Sequence, residues 1–268
     1  MTGIDRTITA LRVADRGAAV ALDWFRSPLD IESKADPTDY VTDADRAVQR
    51  VIESVIMDAF PGEPIIGEET ADSSVPPVPT TGPVWIVDPI DGTKNFIRGI
   101  PVWCVSLSTV VDGTPRASVT TVPPVGDTYL AGIDGRVPTR NGDPIAVSDV
   151  ADPDLATVAP IMWWTATTRG GPLALVRSLM RRFDDIRRFG SAQLTLAQVA
   201  AGGIDGLATD LTLAPWDSVA GVHLIRAAGG TVTDIHGDRW QPRADGLVAS
   251  NGQLHDELIA AVTDTDDG

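Results

Sequence analysis

The run Val84-Trp85-Ile86-Val87 passes without a spacer into Asp88-Pro89-Ile90-Asp91-Gly92-Thr93. Four consecutive apolar residues, all β-branched or aromatic, read as a compact buried strand. Two acids and a threonine follow at a turn set by Pro89 and Gly92. Thr93 to Arg98 leaves room only for a short helical turn before Gly99. Open α/β sheets gather their ligands at the carboxyl ends of strands, so this ending predicts a layered sheet with acids at its rim. Across the turn, Asp88 and Asp91 can reach one point, as ligands of a hard cation such as Mg²⁺ do. The N–H groups of Gly92 and Thr93 open the helical turn beside them, where backbone amides favour an anion. An Asp-rich turn with a simple helix cap fits the same six residues.

The rest of the chain alternates helical and strand-like segments, the pattern of a layered α/β fold. Apolar residues recur at three- and four-residue steps from Ile4 to Phe25, predicting a first helix that ends at Ser27-Pro28. A second helix is expected from an N-cap at Thr42 to Phe60, closed by Pro61. Its buried stripe of Val48, Val51, Ile52, Val55 and Ile56 also includes Asp45, an inward carboxylate that needs a partner. Further helices are expected at Leu173–Arg182, Ser191–Ala201, Trp216–Ala228 and His255–Val262. Strands are expected at Pro64–Gly67, Val102–Val111, Gly206–Thr209 and Thr231–Ile235. The Gly/Pro-rich stretch from Gly132 to Pro144 predicts a division into residues 1–138 and 139–268.

The chain has 268 residues and a net charge of −16, which disfavours nucleic acid and anionic membranes as partners. Its longest stretch free of charged residues, Phe189 to Ile204, is 16 residues, below the 18–20 or so that a membrane-spanning helix needs. The early charges Asp5, Arg6 and Arg12 do not suit a signal peptide, so a cytoplasmic protein is expected. Cys104 is the single cysteine, excludes an internal disulfide and reads as a small buried side chain. His223, His236 and His255 have no ligand spacing. Trp163-Trp164 reads as a core or dimer patch ahead of a substrate platform, Arg187-Arg188 as solvated charges or part of a dimer interface, and Lys94, Arg98 and Glu69 as solvated charges. Lys94 and Arg98 can also steer a phosphate.

Two more acids stand at element ends: Glu68 after Gly67, and Asp217 in the first turn of a helix after Pro215. Asp45, Glu68, Asp88, Asp91 and Asp217 cannot converge without cations, and such a set suits two or three metal ions around a phosphate ester.

Three segments together resemble the signature motifs of the inositol monophosphatase family. They are Gly67-Glu68-Glu69, Trp85 to Thr93, and Trp216-Asp217-Ser218-Val219-Ala220-Gly221. Thr42–Asp45 resembles the family's upstream Asp motif, and Gly190-Ser191-Ala192 its substrate-loop motif. The likeness covers essentially the whole chain. It implies an αβαβα five-layer sandwich, a homodimer, and Mg²⁺-dependent hydrolysis of a small phosphomonoester, with Mn²⁺ able to replace Mg²⁺ and Li⁺ inhibiting. Position by position, it implies a first metal on Glu68, Asp88 and the Ile90 carbonyl, and a second on Asp88, Asp91 and Asp217. Glu68 would face a weaker third ion. Asp45 and Thr93 would orient an attacking water, acting in line without a phosphoenzyme. Substrate contacts would come from Asp91, Gly92, Thr93, Gly190, Ser191, Ala192, Asp210 and Asp217.

Asp91 to Trp103, with Lys94 after the threonine, and Ser250 to Glu257 look more like the histidinol-phosphate phosphatase branch. Asp210 stands where the family usually has Glu, and Ala214 where inositol enzymes often have His. Histidinol phosphate is therefore the expected substrate, with inositol 1-phosphate, another sugar phosphate such as fructose 1,6-bisphosphate, or a nucleotide phosphate as alternatives. A haloacid-dehalogenase-type phosphatase would space its two acids two apart, not three. A noncatalytic metal- or phosphate-binding regulator is the reading from another class.

Overall fold

The structure, a computed structural model, describes residues 3–34, 39–69, 75–132, 137–164 and 172–264. Helix α1 (Gly3–Trp24) turns Ala10, Val13, Ala14, Ala18 and Ala21 inward. A short hairpin, β1 (Ile31–Ser33) with β2 (Tyr40–Thr42), leads into α2 (Asp43–Ala59). Thr42 caps α2 as expected. Its side chain accepts from the Asp45 amide, and the Asp45 carboxylate accepts from the Thr42 amide. Gly17 lets α1 lie close to its neighbours: a Cβ there would meet Ile52 at 3.0 Å and Val105 at 3.2 Å.

Both helices cover one face of a seven-stranded sheet. Its strands lie in chain order: β3 (Ile65–Gly67), β4 (Pro83–Asp91), β5 (Cys104–Val111), β6 (Thr114–Val122), β7 (Asp127–Ala131), β8 (Thr139–Arg140) and β9 (Asp143–Pro144). β3 and β4 are parallel and the other pairs antiparallel. Successive side chains of β4 alternate between two cores. Trp85 and Val87 join α1 and α2, whereas Val84 and Ile86 face the molecule's middle. The sheet runs to Pro144, past the 138/139 division that the Gly/Pro-rich stretch predicts.

A five-residue helix, α3 (Thr93–Ile97), follows β4. Two strands and a helix come next, β10 (Thr157–Pro160), α4 (Pro172–Arg182) and β11 (Asp185–Ile186). The middle layer is α5 (Ala192–Ala200) with α6 (Pro215–Ala227), packed so closely that a Cβ on Gly221 would overlap Leu196. Beyond it lies a five-stranded sheet that also contains β12 (Gly206–Thr209), β13 (Thr231–Thr233) and β14 (Leu247–Ser250), in the order β11-β10-β12-β14-β13. α4 and α7 (His255–Thr263) close its outer face through Leu175, Leu179, Leu258 and Ala261. The layers therefore run αβαβα.

Half-buried His223 on α6 ties the middle layer to the first sheet, with its Nδ1 2.9 Å from the Ser118 hydroxyl on β6. Burial, helped by the Arg226 charge, lowers its pKa to about 4 from 6.5. The unfolded chain then binds the extra proton first as pH falls. Stability from this group is complete above pH 6.5 and declines toward about 4. Urea unfolding at pH 7.5 and 4.5 should show wild type losing roughly 2–3 kcal/mol more than His223→Gln over that interval. Equal losses would contradict the assignment.

Candidate active site

The apolar strand does not stop at Val87. β4 continues through Pro89 to Asp91, correcting the expected four-residue strand and turn. On β5, Ser106 opposes Asp88 and Cys104 opposes Asp91, so three steps on β4 match two on its partner. This bulge falls at Pro89, which has no N–H to give the ladder. In a regular strand, residues three apart point to opposite faces. The extra residue restores them to one face.

Asp217, from the first turn of α6, completes the group. Asp88, Asp91 and Asp217 each bring a carboxylate oxygen within 4.8 Å of the others. Pro215 at the start of α6 and buried Gln193 of α5 fix that turn. Gln193 donates to the Trp216 carbonyl and accepts from the Gly221 amide at 2.8 Å. Asp91 is anchored by the start of α5: the Ser191 hydroxyl and Gln193 amide each donate at 2.6 Å, and the Ala192 amide at 3.1 Å.

Asp88 has no such help. It is 1% exposed, and neither carboxylate oxygen has a hydrogen-bond partner. Burial, then repulsion from Glu68, Asp91 and Asp217, pushes its pKa well above the ordinary carboxylate range. Asp217 is raised likewise by burial and by Glu68 and Asp91. Leaving acids this way is costly unless a cation joins them. Hard carboxylate oxygens suit a divalent ion such as Mg²⁺. The donor set and the two orphaned oxygens of Asp88 therefore fit a bound metal.

Next to the triad, Asp45 and Thr93 meet. The Thr93 hydroxyl lies 3.0 Å from the Ile90 carbonyl and 3.4 Å from Asp45 Oδ1. Asp45 Oδ2 accepts from the Thr42 amide at 2.8 Å and the Thr42 hydroxyl at 2.5 Å. Burial outweighs these bonds and lifts the Asp45 pKa to about 6.

Glu68 stands beside the triad but pairs with Lys34 at 2.7 Å, and Glu69 takes the same ammonium at 2.8 Å. Burial alone would lower the Lys34 pKa, but the two glutamates outweigh it and hold the ammonium above its ordinary value. Glu69 is thus not a solvated neighbour: its side chain is 7% exposed. Burial and Glu68 push its pKa to about 7. Lys34, at the end of β1, escaped the sequence reading. Its one signal is rarity, since Lys34 and Lys94 are the only lysines.

Beside these groups lies a cavity of about 1110 Å³ whose walls include Lys34, Glu68, Asp91, Gly92, Thr93 and Asp217 together with Gly190, Ser191 and Ala192. Gly92 is needed at its position. Its φ is 101°, and a Cβ would meet the Val102 carbonyl at 3.1 Å and Ser191 at 3.3 Å. Lys94 and Arg98 line the cavity too, as do Trp163, Trp164 and Arg188. The tryptophans are 43% and 38% exposed, which corrects the core half of their core-or-dimer-patch reading. Asp210 is exposed and is not among the lining residues. His236 is exposed, while His255 is buried between the Thr233 and Ser250 hydroxyls, each 2.9 Å away.

Known proteins resemble this chain along nearly its whole length. The sequence profile of the inositol monophosphatase family matches residues 5–266. A histidinol-phosphatase of Mycobacterium tuberculosis is 34% identical over 267 residues, covering 95% of this chain and 96% of that protein. A fructose-1,6-bisphosphatase/inositol-1-monophosphatase of Thermotoga maritima is 32% identical, covering 98% and 97%. Among solved structures, a Thermotoga maritima inositol monophosphatase superposes with a TM-score of 0.86 at 31% identity, over 97% of this chain and 98% of that one. With the acid-bearing bulge, the layer order and the whole-length match in agreement, the chain belongs to the inositol monophosphatase family.

Proposed function

We propose that this protein hydrolyses histidinol phosphate in a Mg²⁺-dependent reaction. The observation that carries the hydrolase reading is Asp88, buried with both oxygens unpartnered beside Asp91 and Asp217. In this reading Asp88, Asp91 and Asp217 hold one ion, and Glu68, Asp88 and the Ile90 carbonyl a second. A bound divalent cation supplies charge neutralisation for the phosphate and lowers the pKa of an attacking water.

The chain's own groups do the rest. Gly92 and Thr93 present their amides at the start of α3, and the missing Cβ of Gly92 lets that corner pack against Val102, Trp103 and Ser191. Asp91, pinned by Ser191, Ala192 and Gln193, fixes the substrate loop against the same corner. Thr93 Oγ1 stands between the Ile90 carbonyl and Asp45 Oδ1. A hydroxyl there relays a proton from water toward the Asp45 carboxylate and holds the water's direction. Lys94 and Arg98 at the cavity wall draw an anionic ester inward.

Lys94 after Thr93, on the cavity wall, and the Mycobacterium tuberculosis histidinol-phosphatase at 34% identity support the choice of histidinol phosphate. The name of the Thermotoga maritima relative, a fructose-1,6-bisphosphatase/inositol-1-monophosphatase, favours inositol 1-phosphate and fructose 1,6-bisphosphate as the second reading. Phosphate release measured side by side on these three esters and adenosine 3′,5′-bisphosphate separates them. Histidinol phosphate should give a kcat/KM at least ~10-fold above the others, all abolished by EDTA. Another ranking would replace the substrate. No release from any ester would favour a noncatalytic regulator.

A further inference from the structure

We propose that Trp163, Trp164 and Arg188 recognise the part of the substrate that departs with the alcohol, and that this part is a flat unsaturated ring. The inference rests on the phosphohydrolase reading and names the specificity wall of the same cavity. Trp163 and Trp164 directly follow the segment after β10, beyond the carboxyl end of a strand that runs parallel to both its neighbours. That is where open sheets bind ligands. Arg188 follows β11, the adjacent strand. Its guanidinium carbon lies 5.0 Å from the centre of the Trp164 ring, and its Nη2 donates to the Met162 carbonyl at 3.4 Å. The tryptophan-bearing segment is thus tied to the loop that leads to Gly190 and Ser191.

The chemistry of this segment differs from that of the phosphate corner. The phosphate corner is built from carboxylates and amides. The segment that follows β10 lines the same cavity with Pro160, Ile161, Met162, Trp163 and Trp164, and Arg188 lies over the Trp164 ring. A polyol placed there would leave hydroxyls facing apolar side chains, which costs free energy for each bond lost to water. A flat ring matches an indole face and gains offset stacking as well as burial. Two neighbouring tryptophans keep 43% and 38% of their surface exposed on this wall. The cavity, about 1110 Å³, has room for a ring in addition to a phosphate.

The test compares histidinol phosphate, which carries an imidazole, with glycerol 2-phosphate, which carries no ring, in wild type, Trp163→Ala, Trp164→Ala and Trp163→Phe. The ratio of kcat/KM for the two esters should fall roughly 10-fold in the alanine variants, through KM, and return most of the way in Trp163→Phe. An unchanged ratio would overturn the proposal. Calorimetric titration with histidinol, the dephosphorylated alcohol, reads the same wall without turnover: binding is expected in wild type and should weaken in Trp163→Ala. No binding of histidinol to wild type would overturn the ring assignment even if esters are hydrolysed. Binding of histidinol without phosphate release from any ester would instead overturn the hydrolase reading and leave the wall standing.

Discussion

Asp88→Asn is expected to lower phosphate release by at least ~10³-fold and, at the same time, to make the metal-free protein more stable. The two effects share one cause. Asp88 is buried with no hydrogen bond to either oxygen, and burial together with Glu68, Asp91 and Asp217 raises its pKa. In the absence of a cation, a charge there is a liability, and an amide of the same shape removes it. The gain should be on the order of 1–3 kcal/mol, read by urea unfolding in EDTA at pH 8. A metal-dependent reaction, however, needs the charge that the amide lacks. Loss of turnover with loss of stability would point to simple misfolding. Near-normal turnover would remove Asp88 from the site.

Addition of Mg²⁺ should stabilise wild type strongly, and more so at higher pH. At 100 times its dissociation constant a ligand that binds only the folded state adds ~2.7 kcal/mol. For a chain of this size that is roughly 5–10 °C in Tm. The direction with pH follows from the acids. Their folded-state pKa values are raised, to about 6 for Asp45 and about 7 for Glu69, and well above the ordinary range for Asp88 and Asp217. The folded, metal-free chain therefore holds protons that the unfolded chain has already released. Its stability from these groups is present below the ordinary carboxylate values and is lost as pH rises through the folded ones. A cation replaces those protons, so the Mg²⁺ increment in scanning calorimetry should be larger at pH 8 than at pH 5.5. An increment that is absent, or that shrinks with pH, would contradict the cluster's role.

Much of this was legible in the residues because local rules carry it. The three- and four-residue steps of α1 and α2 gave their buried stripes, and Asp45 stood out on the second. The apolar start of β4 and its acids marked the site, with Asp217 placed by Pro215 at a helix start. What stayed hidden depends on partners distant in sequence. The bulge at Pro89 exists only against β5, and no local pattern tells a turn after Val87 from a strand that kinks. β10 and β14 are short, four residues each, and take their identity from the sheet they join. Lys34 meets Glu68 and Glu69 across the fold, so Glu69 looked solvated when read alone. Trp163 and Trp164 read first as a core or dimer patch because an indole ordinarily seeks burial, whereas here they line the cavity.

The most direct measurement is anomalous diffraction from a crystal soaked in Mn²⁺, a stand-in for Mg²⁺ with a detectable signal. The account predicts a peak coordinated by the carboxylates of Asp88, Asp91 and Asp217, absent from Asp88→Asn crystals treated alike. A wild-type map with no peak among those three carboxylates, or with ions bound only elsewhere, would contradict it.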